Sequence, residues 1–504
     1  MLSGDFVERF VDRGFTKIDL AVGVSGIVSM GLEILAGRVL APRFGSTIYT
    51  WGSIIGVSML ALSLGYLHGG RTSYSASFRD LEKFMVYTTG YIFFVMFAGE
   101  FLLSAAAGLP VPPRYASIVP VAVLFGPPTY FLGYVSPYAA QLSSKDTKGG
   151  ASGHFYAVGT AGSILGAFGT TFLLVPFVPT DWIYIFFASL TLIPLLGDLK
   201  ALKTVSPFLI LVIGALLVTS SSVSGETVYT DSTVYQELKV SDSDGVRTLY
   251  LDGQPQSAVY LNGSGYPWKY LDFFHLPFLM RDDVEDVLFI GGGGFVGPQE
   301  FAGMGYDVDA VELDPGVVKA AQQYFNLSEG PNLQVFTQDG REFLRETNNT
   351  YDVIYLDAFK KSQVPFHLTT KEFMQLVHDR TDRNGVVVSN IISTSSGPGS
   401  KFAKAEYATM SSVFESTYFF PTRETGLAQN IELVATKNQS LNQNVLFERA
   451  DSYKRKNLTD EVSMMRNFSS GDAMVLTDDY APVERLLNPL VGRDYVVGLS
   501  LIHL

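Results

Sequence analysis

The chain has no cysteine, and only 17% of its 504 residues are charged. Without cysteine it has no disulfides, thiolate nucleophiles or cysteine-ligated metal sites. Ordinary soluble proteins carry about 25% charged residues, so this low fraction argues against a wholly soluble protein. The net charge of −13 and the lack of a basic stripe exclude a function that depends on neutralising nucleic-acid phosphates.

The charged residues are distributed unevenly about residue 225. Residues 1–225 carry 13 Lys and Arg against 11 Asp and Glu, whereas residues 226–504 carry 23 against 38. The first part is therefore nearly neutral, and the second has a net charge of −15. This change predicts a membrane domain over 1–225 followed by an acidic domain of different character.

Residues 1–225 contain about seven apolar stretches, and a helix needs roughly 20 such residues to cross a bilayer. They lie near 19–40, 49–70, 84–108, 115–140, 152–175, 181–198 and 205–223. Buried helices of a large soluble core would need amphipathic helices to cover them, and few are present. We therefore expect a multi-pass protein in contact with the lipid bilayer. Close helix packing is predicted at Gly153, Gly159, Gly162, Gly166 and Gly169.

The basic residues near these stretches predict an orientation in a cell membrane. With the N-terminus in the cytoplasm, seven spans place ten Lys and Arg on the cytoplasmic side and three outside. Residues 226–504 are then expected outside the cytoplasm, in agreement with six N-x-S/T tripeptides that all begin at or after Asn262. Glu33 and Glu100 lie in apolar stretches, where a carboxylate is either functional or part of a structural ion pair.

From residue 226 the pattern changes to short strands and turns. Residues 226–270 predict a small β-hairpin module. The run DVLFI at 286–290 is typical of a buried parallel strand, and the glycines 291–294 follow at once. A strand that ends in a glycine turn before a helix brings backbone amides close to an adenosyl ligand.

Three further predicted strands end at an acidic residue. Glu312 follows the glycines by about 20 residues, where an acid accepts hydrogen bonds from ribose hydroxyls. Asp339 is placed for an adenine amino group, and Asp357 for the reacting centre. The sequence has no G-x-x-x-x-G-K-[ST], which excludes a P-loop NTPase. The glycines leave a dehydrogenase open, but Asp339 and Asp357 favour S-adenosyl chemistry.

The predicted architecture is a polytopic α-helical membrane domain followed by an α/β domain. The second domain combines the 226–270 module with a doubly wound, Rossmann-like sheet of adenosyl-methyltransferase order over 271–504. Its nucleoside-binding site is expected where the strands end.

Several segments of this half also have the order and spacing of a known family: VYQELKV, LYLDGQPQ, Tyr270, the GGGG turn, VELDPGVV, TQDG and YLDAF. Through them residues 231–395 resemble the spermidine synthase (polyamine aminopropyltransferase) family. GLEILAGRVLAPRFGSTIYTWGSIIG, VPFHLTTKEF and LTDDYAPVE resemble a subgroup of multi-pass membrane proteins fused to a spermidine-synthase-like domain. The resemblance implies a transferase of polyamine biosynthesis, which moves an aminopropyl group from decarboxylated S-adenosylmethionine to an amine.

The resemblance also implies roles for particular residues. The donor would be held by Gln236, Gly291, Gly292, Gly293, Glu312, Asp339 and Asp357. The acceptor would be bound by Gln256, Tyr270 and Asp272. Asp357, Asp272 and His367 are the candidate catalytic residues, because carboxylates bind cationic ends and a base must take the amine proton.

The chain departs from the family pattern at the reacting centre. Gly294 replaces the acid of the family turn, and Lys360 replaces the second acid of the D-x-x-D loop, the family's proton acceptor. Tyr270-Leu271-Asp272 keeps an acid but lacks the family's imidazole. His367 is either a base in place of the missing acid or a structural residue. Asp478 and Asp479 either close over the cleft or cap a turn.

Three functions stay open at this point. The first is aminopropyl transfer to a small-molecule amine or polyamine. The second is methyl transfer from S-adenosylmethionine to a membrane-proximal acceptor, which Lys360 favours because a lysine pairs with a methionine carboxylate. The third is a non-catalytic nucleoside sensor fused to a transporter-like membrane domain. We expect no metal and no nucleic acid as ligands, and a homo-oligomer.

Overall fold

The structure is a computed structural model, and the chain divides into two compact units, Met1–Ser222 and Val223–Leu504. Each unit has a hydrophobic core of its own. The structure describes residues 16–44, 47–75, 77–107, 111, 113–143, 148–195, 226–233, 235–263, 265–359, 364–437, 441–453, 455–490, 495–497 and 500–502. The apolar stretch 205–223 and Lys360 lie outside these residues.

The described part of the first unit is helical. Its α-helices are α1 Lys17–Phe44, α2 Ile48–Thr72, α3 Phe78–Ala107, α4 Pro113–Ala116, α5 Ile118–Leu124, α6 Gly126–Gly133, α7 Val135–Leu142, α8 Lys148–Gly169, α9 Val175–Phe177 and α10 Thr180–Leu192. A π-helical turn, Thr170–Leu174, joins α8 to α9. This helical composition agrees with the expected class of the first half.

By length and composition, four of the described helical segments are able to cross a membrane: Lys17–Ala41, Ile48–Ser75, Phe78–Ala106 and Ser152–Phe177. A fifth span is the pair Ile118–Leu124 and Gly126–Leu142, bent by 50°, if the pair counts as one span. The apolar helix Thr180–Leu195 is shorter. Apolar helices thus occur at six of the seven predicted stretches, and the total of about seven spans stays a prediction.

Helices α1 and α8 pack closely, and glycines make this contact. A Cβ atom on Gly162 would overlap the carbonyl oxygen of Gly23, and one on Gly166 would overlap that of Ile27. Gly159 has room for a Cβ in ordinary contact with Val22. The predicted close packing is therefore confirmed at Gly162 and Gly166. Among the described residues no atom lies close to a Cβ on Gly153 or Gly169, so close packing is not observed at these two positions.

The second unit begins with a four-stranded antiparallel sheet in the order β1-β2-β3-β4. Its strands are β1 Glu226–Ser232, β2 Glu237–Ser243, β3 Val246–Leu251 and β4 Gln254–Tyr260. Both tight turns of β2–β3–β4 are Asp-Gly pairs with positive φ, which is the geometry of two-residue hairpin turns: Asp244, Gly245, Asp252 and Gly253.

The larger sheet has the order β13-β12-β11-β9-β8-β5-β6-β7, and β10 pairs with β11. Its strands are β5 Asp286–Ile290, β6 Asp307–Glu312, β7 Leu333–Thr337, β8 Tyr351–Leu356, β9 Thr381–Ser393, β10 Ser416–Pro421, β11 Ala428–Thr436, β12 Tyr495–Val497 and β13 Ser500–Ile502. The strands β5 to β9 run parallel, and β11 runs antiparallel to β9. This is the predicted Rossmann-like sheet of adenosyl-methyltransferase order, with a mixed rather than wholly parallel strand arrangement.

Helices of the second unit follow the strands. They are α11 Tyr270–Phe273, α12 Pro277–Met280, α13 Val296–Gly303, α14 Pro315–Tyr324, α15 Gly340–Glu346, α16 Lys371–Arg380, α17 Lys401–Ser411, α18 Gln443–Ser452, α19 Thr459–Ser463 and α20 Val483–Leu487. Strand order reverses between β5 and β8, and ligands of such sheets bind at the carboxyl ends beside this reversal. The glycine turn, Glu312, Asp339 and Asp357 all lie at carboxyl ends of this kind.

Candidate active site

The glycine turn after β5 is shaped by contact with the end of β8. Gly291 has φ +101° and Gly293 has φ +50°, a backbone region that side chains rarely adopt. A Cβ atom on Gly291 would overlap the carbonyl oxygen of Asp357. Glycine is therefore required here, because the turn and the Asp357 backbone lie against each other.

Glu312, at the end of β6, is held by the same turn. One carboxylate oxygen accepts the N–H of Gly292 at 2.9 Å and that of Gly293 at 3.4 Å. The other accepts the N–H of Asp314 at 3.0 Å. Burial raises the pKa of Glu312, and the hydrogen bonds from these amides oppose that shift. The carboxyl group is thus fixed beside the turn, at the position predicted for ribose recognition.

The β-hairpin module is joined to this site through Asp314. Asp314 caps α14 by accepting the N–H of Gly316 at 2.9 Å. Its second oxygen accepts the Thr233 hydroxyl at 2.7 Å and the Gln236 amide at 3.0 Å. Gln236 therefore lies beside the Glu312 loop, and its donor-binding role stays a prediction. Asp314 was not singled out as a site residue, although an Asp-Pro pair before a helix is a known capping signal.

Strand β4 brings Gln256 and Ser257 to the glycine turn. Leu249 pairs with Ser257 and Tyr250 with Pro255, so Gln256 is the extra residue of a β-bulge. The Ser257 hydroxyl accepts the N–H of Gly294 at 2.8 Å. A Cβ atom on Gly294 would lie 2.8 Å from the Cβ of Ser257, which leaves no room for the acid of the family pattern.

Asp339 has partners on both carboxylate oxygens. One oxygen caps α15 by accepting the N–H groups of Arg341 at 2.9 Å and Glu342 at 3.2 Å. The other lies 3.0 Å from Nε2 of His367. Sequence reasoning placed His367 near the reacting centre, whereas the described contact is with the predicted adenine-binding acid. Its catalytic role stays a prediction.

Arg341 holds the His367 segment in place. It donates two hydrogen bonds to Asp478, at 2.8 and 2.6 Å, and one to the His367 carbonyl oxygen at 3.1 Å. These bonds lower the pKa of Asp478. Thr477 and Tyr480 pair across the segment that contains Asp478 and Asp479, so this segment is a turn. The turn is observed, although the Asp478 carboxylate binds Arg341 and Thr370 instead of capping it, and closure over the cleft stays a prediction.

Asp357 lies half-buried at the end of β8. Asn390 of β9 donates to it at 2.7 Å, and the Asn390 oxygen accepts from Asn430 of β11 at 2.8 Å. Burial raises the pKa of Asp357 to about 7; the Asn390 bond opposes this shift, and the charge of Glu312 adds to it. A carboxyl group with this pKa exchanges a proton readily at neutral pH. The two asparagines were missed, since they come from later strands.

The predicted acceptor residues lie around α11. Tyr270 is buried, and its ring meets Phe274 edge-on with centroids 5.5 Å apart. Asp272 forms an ion pair with Lys456, whose ammonium also donates to the Tyr266 hydroxyl at 2.9 Å. Lys456 was missed because it follows Asp272 by nearly 200 residues in the sequence. The substrate and catalytic roles of Asp272 stay predictions.

Comparison with known proteins decides the family. Polyamine aminopropyltransferase of Vibrio vulnificus is 31% identical over 222 residues, which cover 41% of this chain and 72% of that protein. The chain belongs to the polyamine aminopropyltransferase family. The family model described as spermine/spermidine synthase domain matches residues 271–442. The resemblance stated from the motifs is confirmed at this level, and the membrane-fused subgroup stays a prediction.

Two further similarities extend over about half of the chain. A protein of Bifidobacterium longum described as a probable polyamine aminopropyl transferase is 28% identical over 288 residues, or 53% of this chain, and the chain spans 62% of that relative. The crystal structure of a probable spermidine synthase from Corynebacterium glutamicum has 20% sequence identity and a TM-score of 0.43, with coverage of 51% of this chain and 97% of that one.

Proposed function

We propose that the protein is a membrane-bound transferase that moves the aminopropyl group of decarboxylated S-adenosylmethionine to an amine or polyamine. The observation that carries this proposal is Asp357, an acid with a pKa of about 7 at the end of β8, in backbone contact with the glycine turn. Family membership supports the same activity, since relatives carry the name polyamine aminopropyltransferase.

The residues on the donor side fit a sulfonium nucleoside. Glu312 would bind the ribose, the turn would lie along the nucleoside, and Gln236 would contact its thioadenosine part. Asp339 already has both carboxylate oxygens engaged, so adenine would share its outer oxygen with His367. When bound, the donor supplies an electrophilic propyl carbon next to its positively charged sulfur.

Asp357 would act on the acceptor. An amine attacks carbon only when its nitrogen has lost its extra proton, and a nearby carboxylate is a suitable proton acceptor. With a pKa of about 7, Asp357 is both ionised often enough to take a proton and basic enough to hold it. Asn390 fixes the orientation of the carboxylate through one oxygen and leaves the other for the amine.

The proposal is tested by donor binding to the full-length protein in detergent, measured by calorimetry with decarboxylated S-adenosylmethionine, S-adenosylmethionine and methylthioadenosine. We expect preference for the decarboxylated donor, and loss of affinity in Glu312→Gln. Preference for S-adenosylmethionine would support methyl transfer instead. If none of the three binds, both enzymatic functions are wrong, and a sensor or a transporter remains.

We also propose that the first unit lies in a cell membrane, with residues 226–504 outside the cytoplasm and the protein a homo-oligomer. The apolar helices and the basic residues between the stretches support the location. Reporter fusions after residue 225 test the orientation. If a reporter that works only in the cytoplasm is active when fused after residue 225, the proposed orientation is wrong, and the number of spans differs from seven by one.

A further inference from the structure

Strand β11 carries an acid that neither motif nor family resemblance singled out. Glu432 is fully buried, and among the described residues neither of its carboxyl oxygens has a hydrogen-bond partner. Burying an acid without a partner is unfavourable, and each such group calls for an explanation. The location of Glu432 in the sheet supplies one.

The register of the sheet places Glu432 next to Asn390, the residue that forms a hydrogen bond with Asp357. Glu432 pairs with Asn390 across β11 and β9, and directly paired residues of antiparallel strands point to the same face. Asn390 is the residue that donates to Asp357 at 2.7 Å. The charge of Asp357 also contributes to raising the pKa of Glu432, after burial itself. The two acids are therefore neighbours on one face of the sheet.

This face is the one covered by the predicted acceptor segment. Tyr355 pairs with Val388, two residues before Asn390 on β9, and so lies on the same face. The ring of Tyr355 contacts that of Phe274, with centroids 4.9 Å apart, directly after α11. Helix α11, which carries Tyr270, packs against β11. Glu432 thus lies on the face of the sheet that carries the reacting carboxylate and that the segment expected to bind the acceptor covers.

We propose that Glu432 binds an ammonium group of the acceptor amine beside Asp357. This inference rests on the proposed function and names the group that recognises the second nitrogen of its substrate. A diamine attacks with one nitrogen and keeps a positive charge on the other, so it needs a second carboxylate. Gly294 and Lys360 provide no acid at the two positions of the family pattern, and β11 supplies one.

Binding at this acid has a defined proton balance. Burial, with the charge of Asp357, raises the pKa of Glu432 well above its usual value, which favours the protonated form before the amine arrives. An ammonium that enters as a cation leaves a carboxylate–ammonium pair, and the Glu432 proton goes to solvent. One positive charge enters and one leaves, and no bond to carbon changes in this step.

Other titratable groups lie on the elements that surround Glu432. They are Asp357 and Tyr355 on β8, Tyr418 on β10, Tyr270 and Asp272 on α11, and Lys401, Lys404, Glu406 and Tyr407 on α17. Burial raises the pKa of Tyr355 above its ordinary value, which keeps it neutral at neutral pH. Asp272 is already paired with Lys456. Above the pKa of Asp357, the difference in proton release between the wild type and Glu432→Gln therefore reports on Glu432.

The experiment titrates 1,4-diaminobutane into the full-length protein at pH about 8, in two buffers of different ionisation enthalpy, to count released protons. Glu406→Gln is the matched control. Glu406 is equally buried with both oxygens unpaired in the described structure, and burial alone raises its pKa. We expect Glu432→Gln to bind at least about tenfold more weakly and to release about one proton fewer than the wild type and the control.

The outcomes distinguish a failure of the inference about Glu432 from a failure of the proposed aminopropyl transfer. If the wild type binds the diamine without releasing a proton, or Glu432→Gln behaves as Glu406→Gln does, the inference is wrong and aminopropyl transfer still stands. If neither wild type nor Glu406→Gln binds the diamine, the proposed function fails with it. Unchanged methylthioadenosine affinity shows that Glu432→Gln is folded; should it not fold, the wild-type proton count alone decides.

Discussion

The two sides of the crevice are built by different means. On the donor side, backbone geometry fixes the site, through the positive φ of Gly291 and the amides that bind Glu312. On the acceptor side, side chains from separate strands do so, in the row of Asp357, Asn390 and Asn430. Substitutions on the donor side should therefore damage the fold and donor binding together, whereas those on the acceptor side should change chemistry with the fold intact.

The largest effect is expected at Gly291. Gly291→Ala adds a Cβ that overlaps the Asp357 backbone, and we expect a loss of at least about 3 kcal/mol in the free energy of unfolding, with loss of methylthioadenosine binding. Thermal unfolding measures the loss of stability, and calorimetry measures methylthioadenosine binding.

Gly305→Ala is the control, because Gly305 also has positive φ, +93°, but open space around it. It should lose only about 1–2 kcal/mol, the cost of the left-handed backbone. Equal losses at the two glycines would show that the approach of β5 to β8 is unimportant.

The next effect is expected in Asp357→Asn, which keeps the shape of the side chain and removes the proton acceptor. We expect the transfer rate to fall by about 10²–10⁴, with donor affinity unchanged within about threefold. In the wild type the rate should rise with pH until about 7 and then level, because the ionised form is required. A flat profile from pH about 5 to 8 would contradict the role of Asp357.

The free energy of unfolding should depend on pH in the opposite direction to the transfer rate. The folded-state pKa of Asp357 is raised to about 7 from 3.8, so the folded protein holds this proton more tightly than the unfolded chain. The contribution of Asp357 to stability is then present below pH about 4 and is lost as pH rises to about 7. Asp357→Asn should flatten this part of the unfolding curve, by up to about 4 kcal/mol and less where solvent screens the half-buried group.

A smaller effect tests the charge on the acceptor side. Lys360→Asp restores an acid three residues after Asp357, at the position of the family pattern. Since a lysine repels a cationic amine, we expect the KM for a diamine to fall about tenfold. The adjacent Lys361→Asp is the control, and an equal fall in both variants would mean that only net charge matters.

The smallest effect is expected at Arg341, which holds the His367 segment next to the donor side. Arg341→Lys replaces the two parallel hydrogen bonds to Asp478 by a single point charge, so the His367 segment loses a fixed support. Donor affinity should fall about threefold to tenfold, with little change in the rate of bound substrates. Arg345→Lys should change neither, because its pair with Glu342 is half exposed.

The same pair has a pH signature. The Arg341 bonds lower the pKa of Asp478, so the stability they contribute is present above pH about 4 and is lost as pH falls further. In unfolding measurements, Arg341→Lys should lose less stability than the wild type as pH falls below about 4. If the variant and the wild type lose the same stability below pH about 4, the lowered pKa of Asp478 has a cause other than Arg341.

The donor side was predictable from sequence for a physical reason. Parallel strands read as apolar runs, their carboxyl ends meet at one edge, and a glycine or acid directly after each run must lie there. Glu312, Asp339 and Asp357 follow this rule, and the structure places all three at such ends. The Asp314 cap obeys an equally local signal.

The acceptor side could not be predicted in the same way. Asn390 and Glu432 meet only through the register of an antiparallel pair, which depends on tertiary contacts between distant segments. The lack of space at Gly294 depends on a bulge in another sheet, at Gln256. His367 is adjacent to no strand end, so sequence alone did not decide whether it would face Asp339 or Asp357.

The central claim, aminopropyl transfer at this crevice, is tested most directly by the mass of the product. The full-length protein is supplied with equal amounts of decarboxylated S-adenosylmethionine and S-adenosylmethionine, together with 1,4-diaminobutane. We predict an acceptor heavier by one aminopropyl group, formed with methylthioadenosine, and formed about 10²–10⁴ times more slowly in Asp357→Asn. An acceptor heavier by one methyl group, or an unchanged acceptor with the donor bound, would contradict the claim.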